Sequence, residues 1–392
     1  MLKKTLAFQF TLLILLPSVS LADTWNSATR THTHVIQSDA LEEERTVMVR
    51  TPPDYNPGQT YPVVFVPDGE WNFELVASYL DYMADNDIFP DMIVTGAINV
   101  NRNRDYIPRP DPHYRDTGQA NRYLGFVKEE WIPLVSDRYA SAPQRILIGH
   151  SFGGVIALHT LFTEPELFSA YIALGSSAWI ADRVLFEEAE EYFQQYPQHD
   201  AFVYMAVGEG DGGPTVPSSR DLAALFELHA PNTLEWTFDI TEQTDHFKNV
   251  PSGMHDAFMA LFPAWNFDQE LKLAARSGGV DAVNSFFASK TESLGWRFLA
   301  AWFDLGIVAL NLTREDLGPE ALAVMEALRQ HHPQSAIVAE FSGMVYERTS
   351  NPDQALEEYA RAIQLANELG LHPNAIHIDR IQASIERIRE SQ

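Results

Sequence analysis

The sequence predicts an α/β layered domain with a mostly parallel central sheet, followed by an all-helical tail. Three observations carry this. Strand-like and helix-like stretches alternate up to about residue 262. The middle strand candidates are largely continuous apolar runs, as expected of strands covered on both faces. After Pro263 the strand signals stop, and apolar residues recur at helical spacing from Phe267 to Ile388.

In order, the strand candidates are residues 31–37, 45–50, 61–66, 92–98, 145–148, 170–174, 202–207 and 234–240. The helix-like stretches between them are 73–84, 120–139, 153–162, 182–195 and 218–228, and 250–262 closes this part. In the tail, Trp302, Leu305 and Gly306 open a segment that Ala321, Met325, Leu328 and Pro333 close. Gly343, Tyr346, Ala355, Tyr359 and Ala362 fall at matching offsets of the next one. This resembles the tetratricopeptide pattern, a helix pair of about 34 residues; a plain helical bundle is the alternative. Asn351-Pro352-Asp353 reads as a helix turn, and residues 374–389 as a capping helix. Such a tail offers a protein-binding or dimerising surface.

At the N-terminus, Lys3 and Lys4 precede an apolar stretch from Leu6 to Leu16, Pro17 breaks it, and Ser20-Leu21-Ala22 supplies small residues before a cut. That is the layout of a secretory signal peptide. The run is shorter than the ~20 apolar residues a membrane anchor needs. The expected organisation is therefore a signal peptide at 1–22, a catalytic domain at 23–266 and a helical domain at 267–392, in a periplasmic or secreted bacterial protein. No later stretch is long and apolar enough to span a bilayer.

The 392 residues contain no cysteine, which excludes disulfides, thiolate metal sites and a cysteine nucleophile. Asp and Glu number 54 against 27 Lys and Arg, and signal cleavage takes the net charge from −27 to −29. Nucleic acid and anionic membranes are poor partners for such a chain.

The stretch RILIGHSFGGVIAL, residues 145–158, carries the chemistry. A strand enters, Gly149-His150-Ser151-Phe152-Gly153 turns, and a helix leaves. This is the nucleophile elbow, in which a tight turn lifts a serine Oγ out at the end of the sheet. A serine hydroxyl needs a base to take its proton, and in this arrangement the chain order is serine, acid, histidine. The acid is expected after the strand at 202–207, in Gly208-Glu209-Gly210-Asp211-Gly212-Gly213. Asp211 is favoured and Glu209 is the rival. The base is expected on the loop after the last strand, which selects His246. His255 lies mid-helix, His150 sits beside the serine where neighbours point apart, and His32, His34 and His113 precede the serine. Two backbone N–H groups are expected to hold the developing oxyanion: that of Phe152, after the nucleophile, and that of Glu70, in the loop after the strand at 61–66.

Four blocks, YPVVFVPDGEWNF, NRNRDYIP, the long stretch from FVKEEWIP to GSSAWI, and TDHFKNVPSGMHDAF, resemble the putative-esterase family of α/β-hydrolases. That family includes the trilactone siderophore esterases and is related to esterase D and the mycolyltransferases. The resemblance covers roughly residues 31–262 and implies an α/β-hydrolase fold. It also implies Ser151 as nucleophile, His246 as base, and Glu70 with Phe152 as oxyanion donors. The acid varies in the family, often being Glu, and some members work as a Ser–His dyad.

Residues 101–122 carry Arg102, Arg104, Arg109, Arg115 and Arg122, a dense basic segment in so acidic a chain. Lying near the expected mouth of the site, it reads either as an anion-binding rim, with Arg102 and Arg104 as candidate ligands, or as internal pairing with Asp105, Asp111 and Asp116. Trp71, Tyr106 and Trp179 are candidates for an aromatic wall. The leading expectation is an exported serine esterase acting on a small-molecule ester, a siderophore trilactone or another acyl ester, with no metal or cofactor. The alternatives are an acyltransferase, or a non-catalytic scaffold that works through its helical repeat.

Overall fold

The computed structural model describes residues 30–53, 55–85, 88–262, 268–294, 302–368 and 376–391. The N-terminal stretch 1–22, the domain boundary at 266, and the Trp302 side chain lie outside what it describes.

Eight strands form one sheet: β1 (Thr31–Ser38), β2 (Glu43–Arg50), β3 (Tyr61–Val66), β4 (Ile93–Ala97), β5 (Ser141–His150), β6 (Ala170–Leu174), β7 (Ala201–Gly208) and β8 (Leu234–Thr241). Their spatial order is β1-β2-β4-β3-β5-β6-β7-β8. β1 pairs antiparallel with β2, and β2 with β4; the other pairings are parallel. Each expected strand is present, with ends differing by up to four residues.

The helices of this part are α1 (Gly69–Asp85), α2 (Arg102–Tyr106), α3 (Ala120–Phe126), α4 (Ile132–Arg138), α5 (Phe152–Thr163), α6 (Ile180–Gln195), α7 (Thr215–His229) and α8 (Asn249–Leu261). The short α2 was not expected. The single helix expected over 120–139 is continuous but carries a π turn at Val127–Trp131, where the Ile132 N–H reaches back five residues to Val127 O. Pro133 follows at the start of α4. It has no N–H, and its ring would crowd the carbonyl four residues back, so the widened turn makes room for it. α6 opens with Ala181, Asp182 and Arg183 in the left-handed region.

Side chains alternate across the strands and divide the core into two layers. Val63, Phe65, Leu147 and Ala173 face a cluster that includes Val155 and Leu158 of α5. Val64, Val66, Ile146, Ile148 and Leu174 face a cluster that includes Phe73 and Leu80 of α1 and Met254 and Phe258 of α8. Burial on both faces accounts for the continuous apolar runs.

The rest of the described chain is helical: α9 (Asp268–Leu294), α10 (Trp302–Arg314), α11 (Gly318–His331), α12 (Ala336–Arg348), α13 (Pro352–Glu368) and α14 (Ile378–Ser391). α9 breaks at Gly278 and Gly279. These helices have their own apolar clusters. Gly306 and Gly343 are points of close helix approach: a Cβ there would stand 2.7 Å from the Phe341 ring and 2.5 Å from the Tyr359 ring.

Candidate active site

The carboxyl ends of β3, β5, β6, β7 and β8 converge, the edge where ligands bind in open α/β sheets. Gly149, next to last in β5, is in contact so close that a Cβ would fall 1.9 Å from Gly153 O. Only glycine fits. Ser151 then takes φ 61° and ψ −117°, a strained conformation for a residue with a side chain. Its N–H bonds to Leu174 O at 2.9 Å, which ties the turn to the end of β6. Ser151 is half-buried and stands directly before α5, so the Phe152 N–H is one of that helix's orphan donors.

His246 lies on the loop between β8 and α8. Its Nδ1 is 2.8 Å from Asp211 Oδ2, with the imidazole 28% exposed and the carboxylate 3% exposed. The carboxylate accepts, so the ring carries its proton on Nδ1 and leaves Nε2 free to accept. Glu209 is exposed and turns away to accept from the Gln243 N–H at 3.2 Å. Gly175, with φ +53°, lies under this pair: a Cβ there would be 3.3 Å from both Asp211 Oδ2 and His246 Nδ1. Ser151 Oγ makes no hydrogen bond within 3.5 Å among the described residues. Contacts of this kind are often long without substrate and tighten in the Michaelis complex.

A polar lattice that the sequence did not reveal holds the His246 loop. Buried Asn249 donates from Nδ2 to Ala206 O at 3.2 Å and accepts from Thr241 Oγ1 at 2.7 Å. Thr244 Oγ1 donates to Thr241 O at 2.8 Å. A Cβ on Gly208 would lie 2.7 Å from Asp245 O, so the end of β7 packs directly beneath the loop.

Asp68, which sequence reasoning passed over, organises the loop after β3. It has φ 59° and is fully buried. Its N–H donates to Tyr106 Oη at 2.9 Å. Its carboxylate accepts from Arg102 Nε and Nη2 at 2.6 and 2.8 Å, and from Asn99 Nδ2 at 2.6 Å. Burial raises the Asp68 carboxyl above its usual range, and the Arg102 and Asn99 hydrogen bonds offset only part of this. Asp68 O takes the N–H groups of Trp71 and Asn72. The Glu70 N–H, within the first turn of α1, has no carbonyl inside the helix to bond. Asp68 Oδ2 also lies 2.9 Å from where a Gly153 Cβ would be, so this loop packs on the elbow.

The arginine segment pairs internally, largely with acids outside the segment. Arg102 has both prongs on Asp68. Arg104 bonds Glu43 and Asp105, and Arg45 bonds the same two acids. Arg109 pairs with Glu187, and Arg122 approaches Glu42. Arg102 and Arg104 are therefore not free to bind an anion, which corrects that expectation; the reach of a guanidinium across the fold is invisible in sequence. Arg115 is exposed with no acidic partner among the described residues. Tyr106 is 0% exposed and cannot line a substrate wall. Trp71 is 64% exposed, with the Arg102 guanidinium 5.3 Å from its ring centre. Trp179 is half-buried beside Tyr114, whose ring edge meets Phe152 at 5.3 Å. Phe247, unnoticed in sequence, is 75% exposed and packs 5.5 Å from the His246 ring. His255 is spent on Tyr79 Oη at 2.7 Å. No group of acids and histidines able to hold a metal ion occurs among the described residues.

Residues 38–266 match the Putative esterase family. The chain belongs to this family. Its relatives include siderophore esterases. A siderophore enterobactin esterase of Emericella nidulans is 36% identical over 88 residues, covering 22% of this chain and 28% of that protein. A siderophore triacetylfusarinine C esterase of Aspergillus fumigatus is 37% identical over 147 residues, covering 37% of this chain and 44% of that one. The chain thus spans less than half the length of these curated relatives. Among solved structures, an IroE-like serine hydrolase from Shewanella oneidensis is 25% identical, with a TM-score of 0.61, covering 77% of this chain and 99% of that one.

Proposed function

We propose that the protein is an exported serine hydrolase that cleaves carboxylic esters through Ser151, His246 and Asp211. Ser151 Oγ attacks the ester carbonyl carbon while His246 Nε2 takes its proton. Asp211 opposes the imidazolium charge that forms. The Phe152 and Glu70 N–H groups receive the oxyanion. Collapse breaks the bond to the alcohol, which leaves with the proton from His246, and water repeats the sequence on the acyl-enzyme. The observation that supports this best is the 2.8 Å His246–Asp211 hydrogen bond beside an elbow whose serine is held in a strained turn.

The relatives' names make a siderophore-type ester the first substrate to try, with other acyl esters next. The exposed rings of Trp71 and Phe247 suit an ester bearing flat apolar groups. The N-terminal sequence supports export to the periplasm or beyond. The helical region, residues 267–392, is proposed as a separate tetratricopeptide-like domain that binds a protein partner or a second copy.

The test is hydrolysis of p-nitrophenyl butyrate and labelling by a fluorophosphonate, with wild type and Ser151→Ala. Turnover and labelling by the wild type alone are expected. Equal rates from both proteins would end the enzymatic reading in favour of a scaffold. Product analysis with an added alcohol acceptor separates hydrolysis from acyl transfer.

A further inference from the structure

His150 occupies the gap between the elbow and the loop that carries His246. It is the last residue of β5, registered against Leu174 of β6. Its ring Nε2 is 2.8 Å from the carbonyl oxygen of His246, 96 residues along the chain. A carbonyl can only accept, so Nε2 carries the hydrogen and donates. The two imidazoles lie with centroids 4.5 Å apart at 48°, and the Phe247 ring closes in at 5.9 Å. His150's own carbonyl accepts from Arg102 Nη2 at 3.1 Å, and Arg102 is clamped to Asp68. An unbroken series of hydrogen bonds therefore links Asp68, Arg102, His150, His246 and Asp211. It passes through the loop offering the Glu70 N–H, the elbow, and the loop bearing the base.

We propose that His150 is a positioning residue for His246: its Nε2–H fixes the backbone of the base loop while Asp211 fixes the ring. The inference rests on His246 being the base. The base sits on a loop whose flanking residues Thr244 and Asn249 are tied to the ends of the strands, but those bonds do not reach the carbonyl of His246 itself. Asp211 restrains the imidazole about one atom only; the carbonyl bond from His150 supplies a second anchor on the main chain. The device needs a neutral His150, because His246 becomes a cation in each cycle and a second cation 4.5 Å away would oppose it. The facing groups agree with that need. Burial first, and then the neighbouring His246 and Arg102, push the His150 pKa down to about 4, against the pull of its bond to the His246 carbonyl. Asp211 and Asp68 bond to His246 and Arg102 respectively.

The test compares His150→Gln, whose amide N–H can reach the place of the imidazole Nε2–H, with His150→Phe, which fills the space but donates nothing. Both are read by kcat and KM on p-nitrophenyl butyrate, by the fluorophosphonate inactivation rate, and by melting temperature. His150→Phe should lower kcat about 30-fold with KM within about threefold, as a small misplacement of a catalytic group does. His150→Gln should recover at least about tenfold of that loss. Inactivation should follow kcat. Equal kcat for the two variants, or a Phe variant within threefold of wild type, overturns the proposal. If neither variant is soluble, His150→Asn replaces Gln against His150→Leu, with the same reading. A wild type that neither turns over nor labels fails the serine-hydrolase reading instead, so the two failures are distinct.

Discussion

Asp68 and Arg102 form a two-pronged ion pair, Nε to Oδ1 at 2.6 Å and Nη2 to Oδ2 at 2.8 Å, with the carboxylate sealed from solvent. The pair joins the loop after β3 to the elbow, since the same guanidinium reaches the His150 carbonyl. Removing one partner leaves the other buried and uncompensated. Arg102→Gln should therefore destabilise the protein by about 3–5 kcal/mol. Arg102→Gln with Asp68→Asn should regain a large part of this. Urea denaturation of the two single variants and the double variant measures it. Additive losses would show that the two groups act separately.

Asp211 and Glu209 occupy the same glycine-rich turn, and only Asp211 reaches the imidazole. Asp211→Asn should lower kcat/KM by about 10²–10⁴-fold, because the ring loses both its tautomer lock and its counter-charge. Glu209→Gln should stay within about threefold of wild type. A larger loss at residue 209 than at 211 would reverse the assignment of the acid.

The strands were legible because burial on both faces leaves an apolar run that water-facing segments lack. β3 is YPVVFV and β6 is AYIAL, each buried throughout. The elbow was legible because its glycines answer a local demand, seen in the 1.9 Å approach at Gly149. What escaped is non-local. The arginines of residues 101–122 were visible, but their partners Asp68, Glu43 and Glu187 lie 34, 61 and 78 residues away. Which of Glu209 and Asp211 reaches the imidazole depends on how the turn sits against the loop at 244–245, where the Gly210 N–H bonds Thr244 O at 2.9 Å. The role of His150 is hidden because neighbours on an elbow point apart, and its contact runs through a backbone carbonyl that has no sequence signature.

Glycine is required at some of these turns and optional at others. A Cβ at Gly149 would meet the backbone of Gly153, which cannot yield as a flexible side chain can. Gly149→Ala should cost about 3 kcal/mol or more and abolish turnover. At Gly212, in the loop after Asp211, a Cβ has open space around it. Gly212→Ala should stay within about 0.5 kcal/mol of wild type. Thermal melts of both variants decide this, and a stable, active Gly149→Ala would contradict the close packing of the elbow.

Trp71 and Tyr106, both candidates for a substrate wall, differ in exposure. Trp71 is exposed beside the Glu70 N–H, while Tyr106 is buried with its oxygen accepting the Asp68 N–H. Trp71→Ala should raise KM for aryl esters about 10-fold, as loss of a stacking face does, with small change in melting temperature. Tyr106→Phe removes an acceptor from a buried N–H and should cost about 1–3 kcal/mol, leaving KM unchanged. Initial rates and melts on both variants check the split; a KM effect at Tyr106 without loss of stability would return it to the substrate wall.

His150 makes the fold sensitive to acid in a defined window. Its pKa is about 4 in the folded chain against 6.5 when unperturbed. Between those values the unfolded chain binds a proton that the folded chain refuses. Stability from this group is therefore fully present above pH 6.5 and is lost as pH falls toward 4, by up to about 3 kcal/mol. Below pH 4 it changes no further. Carboxylates titrate near the lower end of the same range, so the informative quantity is the difference between wild type and His150→Gln. That difference should shift by up to about 3 kcal/mol in favour of the variant from pH 7 to pH 4, in urea denaturation at a series of pH values. A difference independent of pH would mean that folding does not lower the His150 pKa, and that burial beside His246 and Arg102 does not hold the ring neutral in this window.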